Sequence, residues 1–197
     1  PKHAFRQILT NARTGGVPSM RTHEALYAFM TENLATQAMT RYLLQCTQIT
    51  DMQRVLFVDQ QHPDASDYLS TLTLVGLKEH FGQQCSPLFP APWIYRDYND
   101  DVSHLYGRGF GTTRLLDPNL RADNELSGSA AELRYQHFDS LVVGSISRNT
   151  ELAQELARYF APDRTIWIHG EDTPPLPEDM HTYRQAGAHL FVRSIDV

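Results

Sequence analysis

The sequence has few of the features that mark membrane, disulfide-rich or nucleic-acid-binding proteins. None of its apolar runs approaches the ~18 residues of a membrane-spanning helix. It has two cysteines, Cys46 and Cys85, and no charged-then-apolar leader, so we expect two reduced, buried thiols. Only two of its 17 basic residues are lysines and its net charge is −6, which argues against a broad nucleic-acid footprint. We therefore expect a cytoplasmic protein without a membrane span or a nucleic-acid partner.

The composition is that of a globular domain with an appended N-terminal segment. Apolar residues make up 41% of the 197 residues, enough for a sizeable core, and charged residues make up 20%. Residues 1–50 hold five basic and two acidic residues, whereas residues 51–197 hold 12 basic and 21 acidic residues. This shift in charge predicts an N-terminal arm and long helix over 1–50, followed by an α/β domain over 51–197.

The N-terminal segment is predicted to be a flexible arm followed by one helix. Residues 14–19 are rich in glycine and proline, and Ser19 or Thr22 can cap the helix that follows. Apolar residues recur at helical spacing over residues 22–45, a length of ~36 Å in one helix. Such a helix either packs across its own domain or makes a homo-oligomer contact with a second copy.

The rest of the chain alternates strand and helix patterns. Short apolar runs without alternation are typical of buried parallel strands, and longer amphipathic runs follow them. Strands are predicted at 54–59, 138–145, 165–169 and 189–193, and helices at 68–80, 150–160 and 177–187. Asn149 or Thr150 is the predicted cap of the second of these helices. The order predicts an open, mostly parallel Rossmann-like or flavodoxin-like sheet flanked by helices.

Residues 85–127 interrupt this order and are predicted to be an irregular insertion over the active face. Its glycine-rich stretch 107–111 starts like a dinucleotide fingerprint, but it lacks the third glycine and no strand precedes it. Arg108 in that stretch is a candidate anion contact. Asp97, Asp100 and Asp101 either bind a divalent ion together with a nucleotide or form a solvated acidic loop.

Polar side chains follow each predicted strand, and strand-to-helix loops of a parallel sheet meet at one edge. Asp59 follows the first strand, and Arg193 ends the last. Ser145, Ser147, Arg148 and Asn149 open a helix, where backbone N–H groups and the helix dipole favour an anion. This segment is either a phosphate site or an ordinary capped helix start, and it lacks the spacing of a P-loop.

A second candidate group lies in the segment His169-Gly170-Glu171-Asp172. An imidazole beside two carboxylates suits general acid–base catalysis, with a carboxylate orienting the histidine. One short loop supplies too few ligands for a metal, so we expect no metal site there. The alternative is a structural loop, in which the acids cap a turn and the histidine ends a strand.

Three segments, Phe138–Ser147, Ile166–Asp172 and Ala188–Ser194, together resemble the Rossmann-like domain of bacterial GT-B-type glycosyltransferases. The resemblance covers roughly residues 54–80 and 138–195. It implies a sugar or nucleotide-sugar ligand, with a divalent cation as a possible companion. GT-B enzymes have two Rossmann-like domains, so the resemblance implies that this chain is one domain of a larger enzyme or assembly.

Three functions remain open at this point. The chain can be a sugar- or nucleotide-handling domain that uses His169, Glu171 and Asp172 and holds phosphate at Ser145–Arg148. It can be a non-catalytic binding or oligomerisation module of receiver-like fold. It can also be a small hydrolase or lyase that uses the same His/Glu/Asp loop.

Overall fold

Five parallel strands form one open sheet at the centre of the protein. The computed structural model describes Arg6, Thr10 and residues 19–60, 68–127 and 135–193. The strands are β1 (Val55–Val58), β2 (Cys85–Pro87), β3 (Ser140–Val143), β4 (Thr165–His169) and β5 (His189–Val192). They lie in the order β2-β1-β3-β4-β5, and every neighbouring pair is parallel. This is the strand order of flavodoxin-like folds, so the predicted α/β class is confirmed.

Helices cover both faces of the sheet. They are α1 (Met20–Asn33), α2 (Thr36–Thr47), α3 (Tyr68–Phe81), α4 (Asp123–Ser127), α5 (Ile146–Leu156) and α6 (Pro177–Gln185), with short 3-10 turns between several of them. Side chains alternate along each strand, so β1 points Val55 and Phe57 to one face and Leu56 and Val58 to the other. The first pair packs with residues of α2 and α3, and the second pair packs with residues of α5 and α6.

The N-terminal segment contains two helices where the sequence predicted one. The prediction of a continuous helix over 22–45 is wrong, because the backbone is extended at Ala35 and separates α1 from α2. No glycine or proline marks this break. Ser19 caps α1 as predicted, since its Oγ accepts a hydrogen bond from the Thr22 N–H at 3.2 Å. No residue of α1 is buried, whereas α2 packs closely on α3.

The start of β1 is joined to the residue before β3 by a side-chain bridge. The Asp139 carboxylate accepts hydrogen bonds from the backbone N–H groups of Gln53 and Arg54, at 3.1 and 2.8 Å. Val55 then pairs with Ser140, and the register continues to Val58 and Val143. This bridge fixes the register of the two central strands.

The segment 85–127 contains β2 and packs beside it. A three-residue strand ending in proline carries no clear strand pattern, which is why β2 was not predicted. Asn124 donates to the Pro87 carbonyl at 2.9 Å, and the Lys78 ammonium donates to the Leu120 carbonyl at 3.2 Å. The segment is therefore held against β2 and the C-terminal end of α3.

A buried ionic cluster reinforces this attachment. Lys78 of α3 pairs with Glu125 of α4, and both side chains are almost fully buried. The Tyr95 hydroxyl donates to the same carboxylate, at 2.8 Å to Oε2. Arg121 stacks on the Tyr95 ring, 4.3 Å from its centroid. Because removing one partner of a buried pair leaves an uncompensated charge, the cluster couples α4 to α3.

The two cysteines have different environments. Cys85 starts β2 and is buried, but Cys46 on α2 is exposed, so the prediction of a buried thiol is wrong for Cys46. Both are free thiols. Within the described part of the chain, no helix is long and apolar enough to cross a membrane.

Candidate functional site

The carboxyl ends of β1 and β3 lie side by side where the strand order reverses. β2 lies on one side of β1 and β3 on the other, so the connections from β1 and β3 lead away from a common crevice. Ligands of open α/β sheets bind in such a crevice. Asp59 follows β1, and Gly144 and Ser145 follow β3. The Gly144 N–H donates to the Val58 carbonyl at 2.9 Å, which continues the strand pairing to the edge of the crevice.

Asp59 is the most enclosed charged group at this edge. Its side chain is 0% exposed, and Arg148 donates to Oδ2 at 2.7 Å. The Asn149 amide donates to Oδ1 at 2.8 Å, and the Ser70 hydroxyl also donates to Oδ2. A buried carboxylate needs such partners to offset the loss of water. Asp59 therefore acts through Arg148 and Asn149, by holding both at the mouth of the sheet.

Gly144 is required by close packing at the same place. A Cβ atom at this position would lie within 2.5 Å of Phe57 Cζ and closer still to Ser70 Oγ. No ordinary side chain fits between β3 and the first turn of α3. The absence of a side chain here lets Ser70 reach Asp59.

Asn149 is part of helix α5 and does not cap it. The prediction that Asn149 or Thr150 caps the helix is wrong, since α5 begins at Ile146. Asn149 departs from helical geometry, with φ −120° and ψ 21°. Its Oδ1 accepts from the Gln60 N–H at 2.9 Å, and its Nδ2 donates to the Ser145 carbonyl at 2.7 Å as well as to Asp59. Its side chain thus connects the segment after β1 to the start of α5.

Glu171 lies at the N-terminus of α5. Ser145 occupies the capping position without a side-chain cap, and its Oγ lies 3.1 Å from Ser147 Oγ. The Ser147 hydroxyl donates to Glu171 Oε1 at 2.5 Å. A carboxylate in this position is favoured by the helix dipole. The sequence predicted that this helix start binds an anion, and in the structure the Glu171 carboxylate lies there.

A polar cavity of about 360 Å³ opens beside this helix start. Its wall is formed by the residue after Asp59 and by the first turns of α5. The lining residues are Gln60, Ser147, Arg148, Asn149, Thr150, Glu151 and Leu152. Side-chain hydroxyl, amide, guanidinium and carboxylate groups all contribute, so the cavity suits a polar ligand with both hydrogen-bond donors and acceptors.

His169 ends β4 and is buried, with 4% of its surface exposed. By strand alternation its ring lies on the same face as Trp167, the face that carries α5 and α6. Its Nδ1 is buried and has no hydrogen-bond partner among the described residues. Such an unpaired buried nitrogen costs free energy unless something compensates it.

The structure does not join the three predicted acid–base residues. Glu171 bonds to Ser147, while Asp172 pairs with Arg193 at 2.7 Å. The Asp172 side chain is 87% exposed, whereas His169 is buried. Within the described residues, no carboxylate orients the His169 imidazole, so the predicted arrangement of a histidine held by a neighbouring carboxylate is not formed.

Arg108 lies in a turn of unusual backbone geometry. Arg108 has φ 56°, and its neighbours Gly107 and Gly109 also have positive φ. Its backbone N–H donates to the Leu105 carbonyl at 2.8 Å. None of the described hydrogen bonds or ion pairs connects Arg108 to Asp59 or to the start of α5. The geometry does not support Arg108 as a member of this site.

The acidic residues of segment 85–127 are engaged separately. Asp97 accepts two hydrogen bonds from Arg121, at 2.7 and 3.1 Å, which holds the pKa of that carboxyl below its ordinary value. Asp101 accepts from the Ser103 N–H at 3.0 Å. Over the described ranges, no group of three potential ligands is arranged to hold a metal ion.

Two residues of this site were not predicted from the sequence. Ser70 lies inside a predicted helix, and nothing in the sequence links it to a strand end eleven positions earlier. Gln60 contributes its backbone N–H to Asn149 and lines the cavity. Both contacts depend on the close approach of β1, α3 and α5, which no local pattern reveals.

Comparison of the chain with protein-family models, with curated proteins and with solved structures finds no significant match. The resemblance to glycosyltransferase domains therefore stays a prediction. The function must be argued from the site itself.

Proposed function

We propose that the polar cavity at the start of α5 binds the phosphate-bearing part of a sugar phosphate or nucleotide-sugar. The observation that carries this proposal is Arg148, a guanidinium at the wall of the cavity that the buried Asp59 holds in place. A guanidinium matches the geometry of a phosphate group, and a helix N-terminus adds its partial positive charge. The position at the reversal of strand order is the usual one for such ligands.

Binding of a phosphate group would displace the Glu171 carboxylate. Its carboxylate bonds to Ser147 at the position where a phosphate oxygen would bind. An incoming phosphate would replace this carboxylate, because two anions cannot share the same hydroxyl and helix end without repulsion. Binding would therefore release Glu171 and the loop that follows β4.

The remaining wall suits a sugar. Gln60, Thr150 and Glu151 line the cavity beyond Arg148 and offer side chains that donate to and accept from hydroxyl groups. Glycosyl transfer by this domain would need a second domain or subunit to complete the site. A divalent cation bound with the diphosphate belongs to the same proposal.

Isothermal titration of the full chain with nucleotide-sugars, nucleoside diphosphates and free sugars, with and without Mg²⁺, tests this proposal. Ser147→Ala should weaken phosphate-containing ligands and leave free sugars unaffected, because it removes a donor to the anion. Arg148→Ala should weaken the same ligands, because it removes the guanidinium, and Arg158→Ala is its matched control, since Arg158 is exposed beyond the opposite end of the same helix. No binding of any phosphate-containing ligand to the folded protein would refute the proposal.

A second candidate function, an assembly module, is favoured by the surface of α1. This helix has no buried residue, and Leu26 and Phe29 are half-buried, whereas Met20, Tyr27, Met30 and the capping residue Leu34 are exposed. Residues 20, 27 and 34 are spaced by seven, the repeat of a coiled-coil seam. A second copy of α1 is the partner that this spacing fits.

Light scattering distinguishes the assembly module from a monomer. If α1 mediates self-association, Tyr27→Gln combined with Met30→Gln should convert a dimer to a monomer with unchanged helical content. Ala25→Gln combined with Glu32→Gln, both exposed and on the side of the helix away from that seam, is the control and should leave the mass unchanged. A monomeric wild-type chain would exclude this function.

A further inference from the structure

An apolar groove lies on the face of the sheet opposite to α5. It has a volume of about 390 Å³ and is bounded by α2, α3 and the ends of β4 and β5. Apolar residues that line it include Met39, Tyr42, Leu69, Leu72, Ile168 and Phe191. Tyr42 and Phe191 pack edge to face across it, with ring centroids 6.3 Å apart. Its volume falls in the ~300–1,000 Å³ range of small-molecule sites.

A positively charged side chain lies at the open end of the groove. Arg193 lines its end and pairs with Asp172 at 2.7 Å, but both side chains are well exposed. Exposed ion pairs contribute little, so a ligand anion can compete with Asp172 for the guanidinium. The groove thus combines a long apolar wall with one cation at its entrance.

From these features we infer that the groove binds a small amphiphile, an aliphatic carboxylic acid whose chain lies along α2 and α3 and whose carboxylate meets Arg193. The apolar wall gains by removing the chain from water, and the guanidinium selects the anionic head. This site is separate from the polar cavity at α5 and does not depend on the function proposed for it.

Isothermal titration of the full chain with octanoate and with octan-1-ol tests the inference. Both ligands should bind the wild type. Arg193→Gln should weaken octanoate by about two- to fivefold, the range of an exposed ion pair, and leave octanol unchanged. Arg184→Gln, an exposed arginine on α6 away from the groove, should change neither.

A second experiment fills the groove with a larger side chain. Leu72→Trp should weaken both ligands by about tenfold or more, because the indole takes the space of the aliphatic chain. Leu176→Trp is the control, since Leu176 is exposed and lies outside the groove.

Three results would overturn the inference. The first is the absence of binding by either ligand to the wild type. The second is an equal loss of octanoate and octanol affinity in Arg193→Gln, which would remove the role of the guanidinium. The third is a wild-type dimer that becomes monomeric in Leu72→Trp, which would make the groove an interface between two copies of the chain.

Discussion

Arg148 donates to the buried carboxylate of Asp59 from the first turn of the neighbouring helix, at 2.7 Å. The two residues lie 89 positions apart in the sequence, on opposite sides of the crevice between β1 and β3. Arg148 is partly exposed to solvent and Asp59 is not. The pair is therefore asymmetric: either residue can be replaced, but only the loss of Arg148 leaves a charge trapped in the interior.

This asymmetry predicts the stability of variants. Arg148→Met should lower the free energy of unfolding by about 3 kcal/mol, because it leaves the Asp59 carboxylate buried without a cation. Adding Asp59→Asn to Arg148→Met should restore part of that loss, since the trapped charge disappears. Urea unfolding at neutral pH measures both variants.

Arg158→Met serves as the control and should stay within about 0.5 kcal/mol of the wild type, as an exposed substitution usually does. A double variant that is less stable than Arg148→Met alone would contradict the assignment of Asp59 as the buried partner of Arg148.

The two thiols should differ in reactivity. Burial raises the pKa of the Cys85 thiol to about 12, and only thiolates react readily with disulfide reagents or iodoacetamide. Cys46 is exposed. Labelling of the folded protein near neutral pH should therefore modify Cys46 alone, and mass spectrometry of its peptides identifies the site. In denaturant both should react; fast labelling of Cys85 in the folded state would contradict its burial.

The buried cluster of segment 85–127 should be essential for its docking. Lys78→Met should cost about 3–5 kcal/mol, because it strands the Glu125 carboxylate. Combining it with Glu125→Gln should recover much of the loss, since the amide needs no cation. Glu79→Gln on the same helix is the control, as Glu79 is exposed. Near-ultraviolet circular dichroism of the nearby Trp93 would report whether the segment stays docked.

The ion pair between Asp97 and Arg121 should make a small, pH-dependent contribution to the free energy of unfolding. Its hydrogen bonds with Arg121 lower the pKa of the carboxyl in the folded state below the ordinary value of 3.8. A lowered folded pKa means that the contribution is present above 3.8 and is lost as the pH falls through the folded pKa. Asp97→Asn should thus be less stable than the wild type at neutral pH and equal to it at strongly acidic pH. The loss should be small and should shrink with added salt, because the Asp97 side chain is 47% exposed.

The sequence was sufficient to predict four of the five strands. β1, β3 and β4 are fully buried, and burial on both faces removes the alternation that a half-exposed strand would show, whereas β5 at the edge of the sheet is half-buried. β2 has three residues and ends in proline, so its pairing with β1 depends on a neighbour rather than on its own pattern. The break between α1 and α2 was missed for a similar reason, because no glycine, proline or capping side chain marks Ala35.

The sequence indicated which strand ends meet but not how their side chains are connected. Strand ends pointed to Asp59, Ser145 and Arg148, and these do lie around one crevice. Which donor meets which acceptor depends on contacts 89 and 90 positions apart, between β1 and α5. Proximity in sequence was misleading for His169 and Asp172, because a strand end turns one side chain into the core while the loop after it extends into solvent.

The bridge from Asp139 to the start of β1 has a consequence for the order in which the chain folds. It joins residues 85 positions apart, and the central pair of strands forms only after that long loop has closed. Folding is slow when a long loop must close before the contacts that stabilise it can form. β4 and β5 are connected through the short helix α6, so these two strands can pair before β1 and β3 do. The slowest event in refolding should therefore be the arrival of β1 beside β3, which also creates the crevice that holds Asp59 and Arg148.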